Sequence, residues 1–195
     1  MQARTVTEQA RRGQIVAAAI ETIAELGYPK ASYARIAERA GLSSTGLISY
    51  HFANKSDLIE QVATNVIGQI GAFVHERFTA ATSAPERLRA YILGSTEFIG
   101  KHRTPMKALL EIFLHGALGY DATDEQRALS PLEQVLTEGQ HTGEFRSFDV
   151  RVMATAIQRA VDGLPFLLEA HPDVDPDAYG AEIATTFDLA TRSPR

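Results

Sequence analysis

The 195-residue chain contains no cysteine, so neither a disulfide framework nor a thiolate metal site can stabilise it. It has no apolar run near the length of about 18 residues that a membrane-spanning helix needs, and no apolar signal segment at its start. It also lacks a Gly-rich phosphate loop, a Gly-x-Ser-x-Gly motif and a His-Glu-x-x-His pair. These absences favour a cytoplasmic protein that is not an enzyme and needs no cofactor. A hydrophobic fraction of 45% is sufficient for a buried core.

Six histidines are scattered along the chain, and the nearest approach to a metal-binding pair is Glu111 with His115. The two residues lie four apart on a predicted helix, so they share one helix face. The pair has two interpretations, a shared metal ion or a solvated surface pair. We expect the surface pair, and no metal site.

Charge is distributed unevenly. The net charge is −5, yet residues 1–56 hold seven Lys and Arg against four acidic residues, whereas residues 57–195 hold 12 against 20. A basic head on an acidic body is typical of a protein that contacts phosphates with its head alone. Arg4, Arg11 and Arg12 form a basic N-terminal arm, which either touches phosphate or is an ordinary solvated helix start.

Apolar residues recur at helical spacing along most of the chain, and no strand pattern is long enough to count. The pattern predicts an all-α protein of about nine helices. The Ser130-Pro131 step predicts a kink or a break in the seventh helix. The predicted helices are about 7–26, one that begins after Ser32, one within 43–52, and then about 55–80, 85–101, 104–118, 124–141, 149–170 and 177–190.

The long predicted helix 55–80 joins an N-terminal three-helix head to a C-terminal helical bundle. Gly68 and Gly71 lie in its interior, where glycine costs about 1 kcal/mol relative to alanine. The glycines have two interpretations. They allow close packing against a neighbouring helix, which we favour, or they form a flexible point that lets the head swing.

The stretch 43–52, SSTGLISYHF, is rich in small hydroxyls and has no acidic residue. Gly41 is predicted to end the preceding helix, and Ser43 or Ser44 to cap the next one. Two short helices joined by a tight glycine turn, the second one polar, form a helix-turn-helix arrangement. Its hydroxyls and rings are partners for phosphates and base edges.

A series of short segments stands in order between residues 15 and 58: Gly27-Tyr28, Ile36-Ala37, Ala40-Gly41-Leu42-Ser43, Gly46, Tyr50-His51-Phe52, and Lys55 with Leu58. In these segments the chain resembles the N-terminal domain of the TetR family of bacterial transcriptional regulators. The resemblance implies a helix-turn-helix DNA-binding domain at 1–54 and a ligand-binding and dimerisation domain at 55–195. Ala31 departs from the family, which more often has Thr there, and Ser32 is predicted to supply the helix cap instead.

The third helix is therefore predicted to enter the major groove of double-stranded DNA. Thr45, Leu47 and Ser49 are predicted to face base edges, where hydroxyls are adaptable readers and a leucine contacts a thymine methyl. His51 has a second interpretation, a hydrogen bond that holds the recognition helix to the next helix. The predicted phosphate contacts are Ser32, Ser44, Tyr50, His51 and Lys55.

The resemblance also implies that the later helices enclose a small effector, expected to be largely apolar, and that the last two form a homodimer. Both of these helices are apolar on more than one face, so each must be buried either in its own subunit or against a partner, and a dimer contact between them is plausible. The candidate dimer residues are Met153, Val161, Leu164, Ile183 and Phe187. The candidate pocket residues, each of which is alternatively ordinary core, are Phe98, Met106, Leu110, Phe113 and Ile157.

The resulting hypothesis is a ligand-responsive repressor that binds an inverted-repeat operator as a dimer and is released by a small molecule. The effector would bias the helix at 55–80 and move the two recognition helices away from a separation of about 34–36 Å, one turn of DNA. The alternative is an architectural or cell-division DNA-binding protein of the same fold without an effector.

Overall fold

The computed structural model describes residues 2–119 and 122–193, which form nine α-helices and no β-strand. The all-α prediction is confirmed. None of the helices in these ranges is at once long enough and apolar enough to cross a bilayer. The helices are α1 (Gln2–Leu26), α2 (Tyr33–Arg39), α3 (Gly46–His51), α4 (Lys55–Ala80), α5 (Ala84–Lys101), α6 (Arg103–Leu114), α7 (Ala122–His141), α8 (Val150–Ala170) and α9 (Pro176–Thr191).

The chain forms two compact units. The first comprises the chain up to Gln69 together with Arg103–Gly119, and so contains α1–α3, the beginning of α4, and α6. The second contains the end of α4 from Ile70, α5, and α7–α9. The predicted DNA-binding segment 1–54 lies inside the first unit, which is larger than that segment because it also includes α6.

The core of the first unit is built on the inner face of α1. Ile15, Ala19 and Ile23 are fully buried, as their spacing of four residues predicts. Residues from each of the next three helices are buried with them, and α6 packs against α1. Each fully buried aliphatic side chain contributes about 1.5–3 kcal/mol. This burial holds helices as short as α2 and α3, which are unstable in isolation.

The second unit has its own apolar core, in which α5, α7, α8 and α9 meet. Local capping signals begin two of its helices: Ser83 and Glu86 form a capping box at α5, and the Asp149 carboxylate accepts from Val152 N (2.9 Å) at α8. The buried core residues are Ala84, Leu88, Ile92, Leu129, Leu132, Val135, Leu136, Phe145, Ala154, Ile157 and Ala184.

Three local predictions need correction. Helix α6 ends at Leu114 rather than near 118, because the chain reverses through Gly116 at a φ of 58°. Helix α7 continues through Pro131, so of the two predicted outcomes, a kink or a break, the break is wrong. Residues on both sides of the proline are buried and hold the helix together. Helix α1 begins at Gln2, earlier than predicted.

The favoured explanation for the glycines of α4 is also wrong within the protomer. Among the described residues, no heavy atom lies within 4 Å of a Cβ built on Gly68 or Gly71, apart from the helix's own neighbouring backbone. Both glycines are exposed. Close packing is instead found at Gly180, where a Cβ would lie 2.2 Å from Thr96 Oγ1, so α5 and α9 approach each other closely at this point.

Candidate nucleic-acid interface

The turn between α2 and α3 is fixed by backbone hydrogen bonds. Gly41 adopts a φ of 63°, a left-handed conformation that favours glycine. Leu42 N donates to Ala37 O (2.8 Å) and Gly41 N donates to Glu38 O (3.0 Å), which is the Schellman pattern of a helix end. Two backbone carbonyls at the end of α2 are thus satisfied, and the chain enters α3 at a defined angle.

The two helices of the motif begin differently. The Ser32 hydroxyl accepts from Arg35 N (3.4 Å) and caps α2, as predicted. Helix α3 begins at Gly46 with Thr45 at the cap position in a helical conformation, and no side-chain cap is found there in the described structure. The predicted cap at Ser43 or Ser44 is therefore wrong, because the chain winds into α3 through backbone bonds alone. The hydroxyls of this segment are not used in capping.

Helix α3 has a buried edge and an exposed face. Ile48 and Phe52 are almost completely buried, and the Phe52 ring packs under Arg12 of α1. On the outer side, Tyr50 is 72% exposed and Leu47 is 37% exposed, far more than core residues of their size. The remaining residues of the proposed reading face are exposed as well: Ser44, Thr45 and Ser49.

Side chains of α1 hold the C-terminal ends of both motif helices. The Arg12 guanidinium donates to His51 O at the end of α3 and lies 4.4 Å from the centroid of the Phe52 ring. Gln14 Nε2 donates to Ala40 O at the end of α2 (2.6 Å). A cation at a helix C-terminus is favourable because the carbonyls there carry partial negative charge. These contacts position the motif, and sequence reasoning missed them.

The basic arm is therefore not uniform. Arg12 is engaged within the protein, and Arg11 donates to Gln14 (2.8 Å) at the surface. The side chain of Arg4 lies outside the described part of the structure. Farther along, the Arg39 guanidinium is paired with Glu21 and Glu25 of α1, so its charge is compensated locally.

Lys55 begins α4 directly after the motif. The helix start is fixed by a reciprocal cap, since Asn54 Oδ1 accepts from Asp57 N (2.9 Å) and Asp57 Oδ2 accepts from Ala53 N (2.8 Å). Lys55 Nζ lies 4.4 Å from the centroid of the Tyr28 ring, a cation–π arrangement. Burial lowers the pKa of Lys55. Its ammonium group is held at a defined place, which suits a phosphate contact.

His51 and Tyr33 each have a buried polar side-chain atom that lacks a hydrogen-bond partner among the described residues. These atoms are His51 Nδ1 and Tyr33 Oη. His51 Nδ1 therefore does not make the predicted hydrogen bond to the next helix; the backbone carbonyl of His51 is instead bonded by Arg12 of α1. The His51 ring packs edge-on against Tyr50, with centroids 5.0 Å apart. Burial and the nearby Asp57 charge raise the pKa of Tyr33.

The helix-turn-helix segment is similar in sequence to known regulatory proteins. The sequence profile for bacterial regulatory proteins of the tetR family covers residues 15–62, from the inner face of α1 into α4. The HTH-type transcriptional regulator BetI 1 of Chromohalobacter salexigens is 37% identical over 101 residues, which are 51% of this chain and 50% of that protein. The regulator BetI of Burkholderia mallei is 28% identical over 160 residues, covering 82% and 78%. Together, these matches support a TetR family regulator.

The similarity in fold extends over most of the chain. The transcriptional regulator FadR of Bacillus subtilis, solved in complex with stearoyl-CoA, superposes with a TM-score of 0.75. It is 25% identical, and the match covers 88% of this chain and 95% of that one. The C-terminal helices, whose sequence pattern is weak, therefore follow the same architecture.

The candidate dimer residues differ in exposure. Val161 and Leu164 are buried by their own protomer, so they have no surface to offer a partner. Met153, Ile183 and Phe187 are half-buried and pack against the core of the second unit. The large apolar side chains that are exposed on α8 and α9 are different ones: Val152 (66%), Phe166 (51%) and Leu189 (62%).

The spacing of Val152 and Phe166 could have identified this surface. They lie 14 residues apart, which is close to four helical turns, so they share one face of α8 with Arg159 midway between them. Because α8 is apolar on several faces, the sequence pattern alone did not distinguish this face from the buried one.

The candidate pocket residues are divided between the two units. Phe98 and Ile157 are buried in the second unit, Ile157 in its central core. Met106 and Leu110 are buried in the first unit, and Phe113 of that unit is 41% exposed. Four of the five thus have the burial of ordinary core residues.

A polar chain inside the second unit was not predicted. The Tyr91 hydroxyl donates to Gln158 Oε1, and Gln158 Nε2 donates to Asp162 Oδ1 (2.8 Å). Burial raises the pKa of both Tyr91 and Asp162. Gln158 and Asp162 lie one turn apart on α8, a spacing that identifies the pair but not its tyrosine partner on α5.

Proposed function

We propose that this chain is a ligand-responsive repressor that acts in the cytoplasm and binds an inverted-repeat operator as a dimer. The observation that carries the proposal is the exposed face of α3, which is held from behind by α1 and followed at once by the positioned ammonium group of Lys55. A short helix with hydroxyls outward and Ile48 and Phe52 inward is suited to a groove and not to a protein core. The DNA-binding segment would be 1–54 with the first turn of α4.

The residues of this surface divide into readers and anchors. Thr45, Leu47 and Ser49 would face base edges in the major groove, because they lie on α3 or at its start and are exposed. The anchors would bind phosphates, which fixes the register without reading sequence. The proposed anchors are Ser32, Ser44, Tyr50, His51 and Lys55.

Dimerisation would use α8 and α9. A symmetric contact needs a patch that meets itself across a two-fold axis, and exposed apolar side chains on two adjacent helices supply one. Val152, Phe166 and Leu189 are the exposed large apolar residues of these helices. The half-buried Met153, Ile183 and Phe187 would contribute at the edge of the same interface. Two recognition helices then face successive major grooves.

The effector site would lie in the second unit. The long acyl chain that FadR of Bacillus subtilis binds in stearoyl-CoA supports a largely apolar effector with a polar end. Within the second unit, the Phe98 ring stacks on His102 with centroids 4.2 Å apart, and the Tyr91–Gln158–Asp162 chain supplies hydrogen-bonding groups. Buried titratable groups with shifted pKa values are typical of binding sites. Helix α4 is continuous from the second unit into the first and would carry the response.

The test is a binding titration of the full-length protein, at several salt concentrations, against its own upstream intergenic DNA and a scrambled duplex of equal length. A sequence reader should bind the natural DNA with a Kd of about 10⁻⁸ M or tighter, far below its Kd for the scrambled duplex. Equal affinity for both duplexes would favour the architectural alternative. The absence of binding at low salt would refute DNA binding.

Two variants separate readers from anchors in the same assay. Leu47→Ala should change the preference among operator variants, since it removes a base contact. Lys55→Ala should weaken binding to all sequences and lower the salt slope by about one. If the two variants behave alike, the division into readers and anchors is wrong.

A further inference from the structure

Glu111 of α6 contacts the DNA-binding part of the first unit although it lies far from that part in the sequence. Its carboxylate Oε2 accepts a hydrogen bond from Tyr28 N at 3.0 Å. The two residues are 83 positions apart, yet both belong to the first compact unit. The Glu111 side chain is 24% exposed, so this is not a solvated surface carboxylate of the kind the sequence predicted.

The backbone at the end of α1 explains why an acceptor is needed there. Gly27 N makes a helical bond to Ile23 O (2.9 Å), and Gly27 then turns the chain out of the helix with a φ of 80°. Tyr28 N begins a new turn and has no helical acceptor behind it. The carboxylate fits because position 27 has no side chain, since a Cβ on Gly27 would lie 3.2 Å from Glu111 Oε2.

The ring of Tyr28 supports Lys55. Lys55 Nζ lies 4.4 Å from the ring centroid, and the His115 ring of α6 lies 5.7 Å from the same ring. The lowered pKa of Lys55 is due to burial, so its ammonium group has already lost part of its hydration. Such a group binds a phosphate at a smaller desolvation cost than a lysine extended into water.

We propose that Glu111 is a positioning residue for DNA binding: it fixes the Tyr28 backbone, and the Tyr28 ring in turn fixes the Lys55 ammonium group for its phosphate contact. The inference rests on the proposed function, because it assigns Lys55 to the DNA backbone. It assigns a role in DNA binding to a residue of α6, outside the segment that reads DNA.

The sign of the effect distinguishes this role from simple electrostatics. A carboxylate repels DNA, so removing one from the first unit should by itself tighten binding. A positioning role predicts the opposite, since losing Glu111 releases Tyr28 and with it Lys55. Glu60 is the matched control, because it is an exposed carboxylate of the same unit.

The experiment compares Glu111→Ala, Glu111→Gln, Glu60→Ala, Lys55→Ala and the Glu111→Ala/Lys55→Ala double variant as full-length proteins. DNA affinity is measured against salt well below each melting temperature. Glu111→Ala should weaken binding roughly 5- to 20-fold and lower the salt slope by about one, as the loss of one phosphate contact does. Glu111→Gln should keep most of the affinity, because a carboxamide oxygen still accepts from Tyr28 N. The double variant should bind no more weakly than Lys55→Ala.

Three results would overturn the inference. The first is that Glu111→Ala binds as tightly as wild type or tighter, in line with Glu60→Ala. The second is that the losses of the two single variants add in the double variant, which would separate Glu111 from Lys55. The third is that Glu111→Gln loses as much affinity as Glu111→Ala, which would remove the hydrogen bond to Tyr28 from the explanation.

A second measurement does not depend on DNA. The pKa of Lys55, followed by NMR, should rise towards its ordinary value in Glu111→Ala relative to Glu111→Gln, because a released ammonium group regains water. The two variants have the same charge, so the comparison isolates positioning. If wild type binds no DNA while this shift occurs, the proposed function fails and the positional link stands. An unchanged pKa would refute the link itself.

Discussion

Replacing Gly68 and Gly71 of α4 by alanine should stabilise the protein. Both glycines lie inside a 26-residue helix and neither has a positive φ. A Cβ at either position meets no heavy atom within 4 Å among the described residues beyond the adjacent helical backbone. The substitution therefore introduces no strain, and it removes the conformational freedom that glycine loses on folding.

The expected gain is about 1 kcal/mol for each position and about 2 kcal/mol for the double variant. For a chain of this length, the gain of the double variant corresponds to a rise in melting temperature of about 4–8 °C. Gly180→Ala is the contrasting control, since its Cβ would lie 2.2 Å from Thr96 Oγ1. Thr96 is buried and its hydroxyl donates to Ile92 O (3.0 Å), so relief of this clash should cost about 1–3 kcal/mol.

The assay is thermal and urea unfolding followed by circular dichroism, with all variants at one protein concentration. Opposite signs for the α4 variants and Gly180→Ala are the expected result. Destabilisation by Gly68→Ala or Gly71→Ala would refute the reasoning, because it would require a surface that closes on α4, in the protomer or in the dimer. A flexible role for these glycines adds a functional expectation: the stiffened variant should need more effector before it leaves the operator.

Two further predictions concern single side chains. Arg12→Met should lower the free energy of unfolding by about 1–2 kcal/mol and weaken binding to operator and scrambled DNA alike, because the end of α3 loses its hydrogen-bond donor and the Phe52 ring loses its cation. Arg11→Met removes the same charge and should have the smaller effect. Equal effects of the two variants would contradict the anchoring role of Arg12. Hydrogen bonds from Arg77 and Lys101 lower the pKa of Glu97 from 4.5 to about 2. The ionised carboxylate therefore stabilises the folded protein at a pH above its unfolded pKa, and this stabilisation is lost as the pH falls from about 4.5 towards 2. Since Arg77 and Lys101 are both exposed, the ion pairs of Glu97 should contribute only about 1 kcal/mol to the free energy of unfolding. The difference in unfolding free energy between wild type and Glu97→Gln, measured in urea at neutral pH and again near pH 3, should shrink to less than half; a constant difference would contradict the pKa assignment.

Much of the fold could be predicted because the signals that set it are local. Apolar spacing located most of the helices, and caps such as Ser32 and Asp149 act within one turn of themselves, so their effect is visible in a few letters of sequence. The exposed and buried sides of α3 could be assigned in the same way, from the four-residue spacing of Ile48 and Phe52. The segment that we propose reads DNA could thus be located from the sequence itself.

Tertiary structure decided which of several possible neighbours each side chain meets. Helix α8 is apolar on more than one face, and only the packing of the second unit determines that Leu164 is buried while Phe166 is exposed. Arg12 was an equal candidate for phosphate until α3 placed a carbonyl beside it. The contact of Glu111 with Tyr28 spans 83 residues, and no periodic pattern encodes it, because a hydrogen bond across two helices depends on where both helices lie.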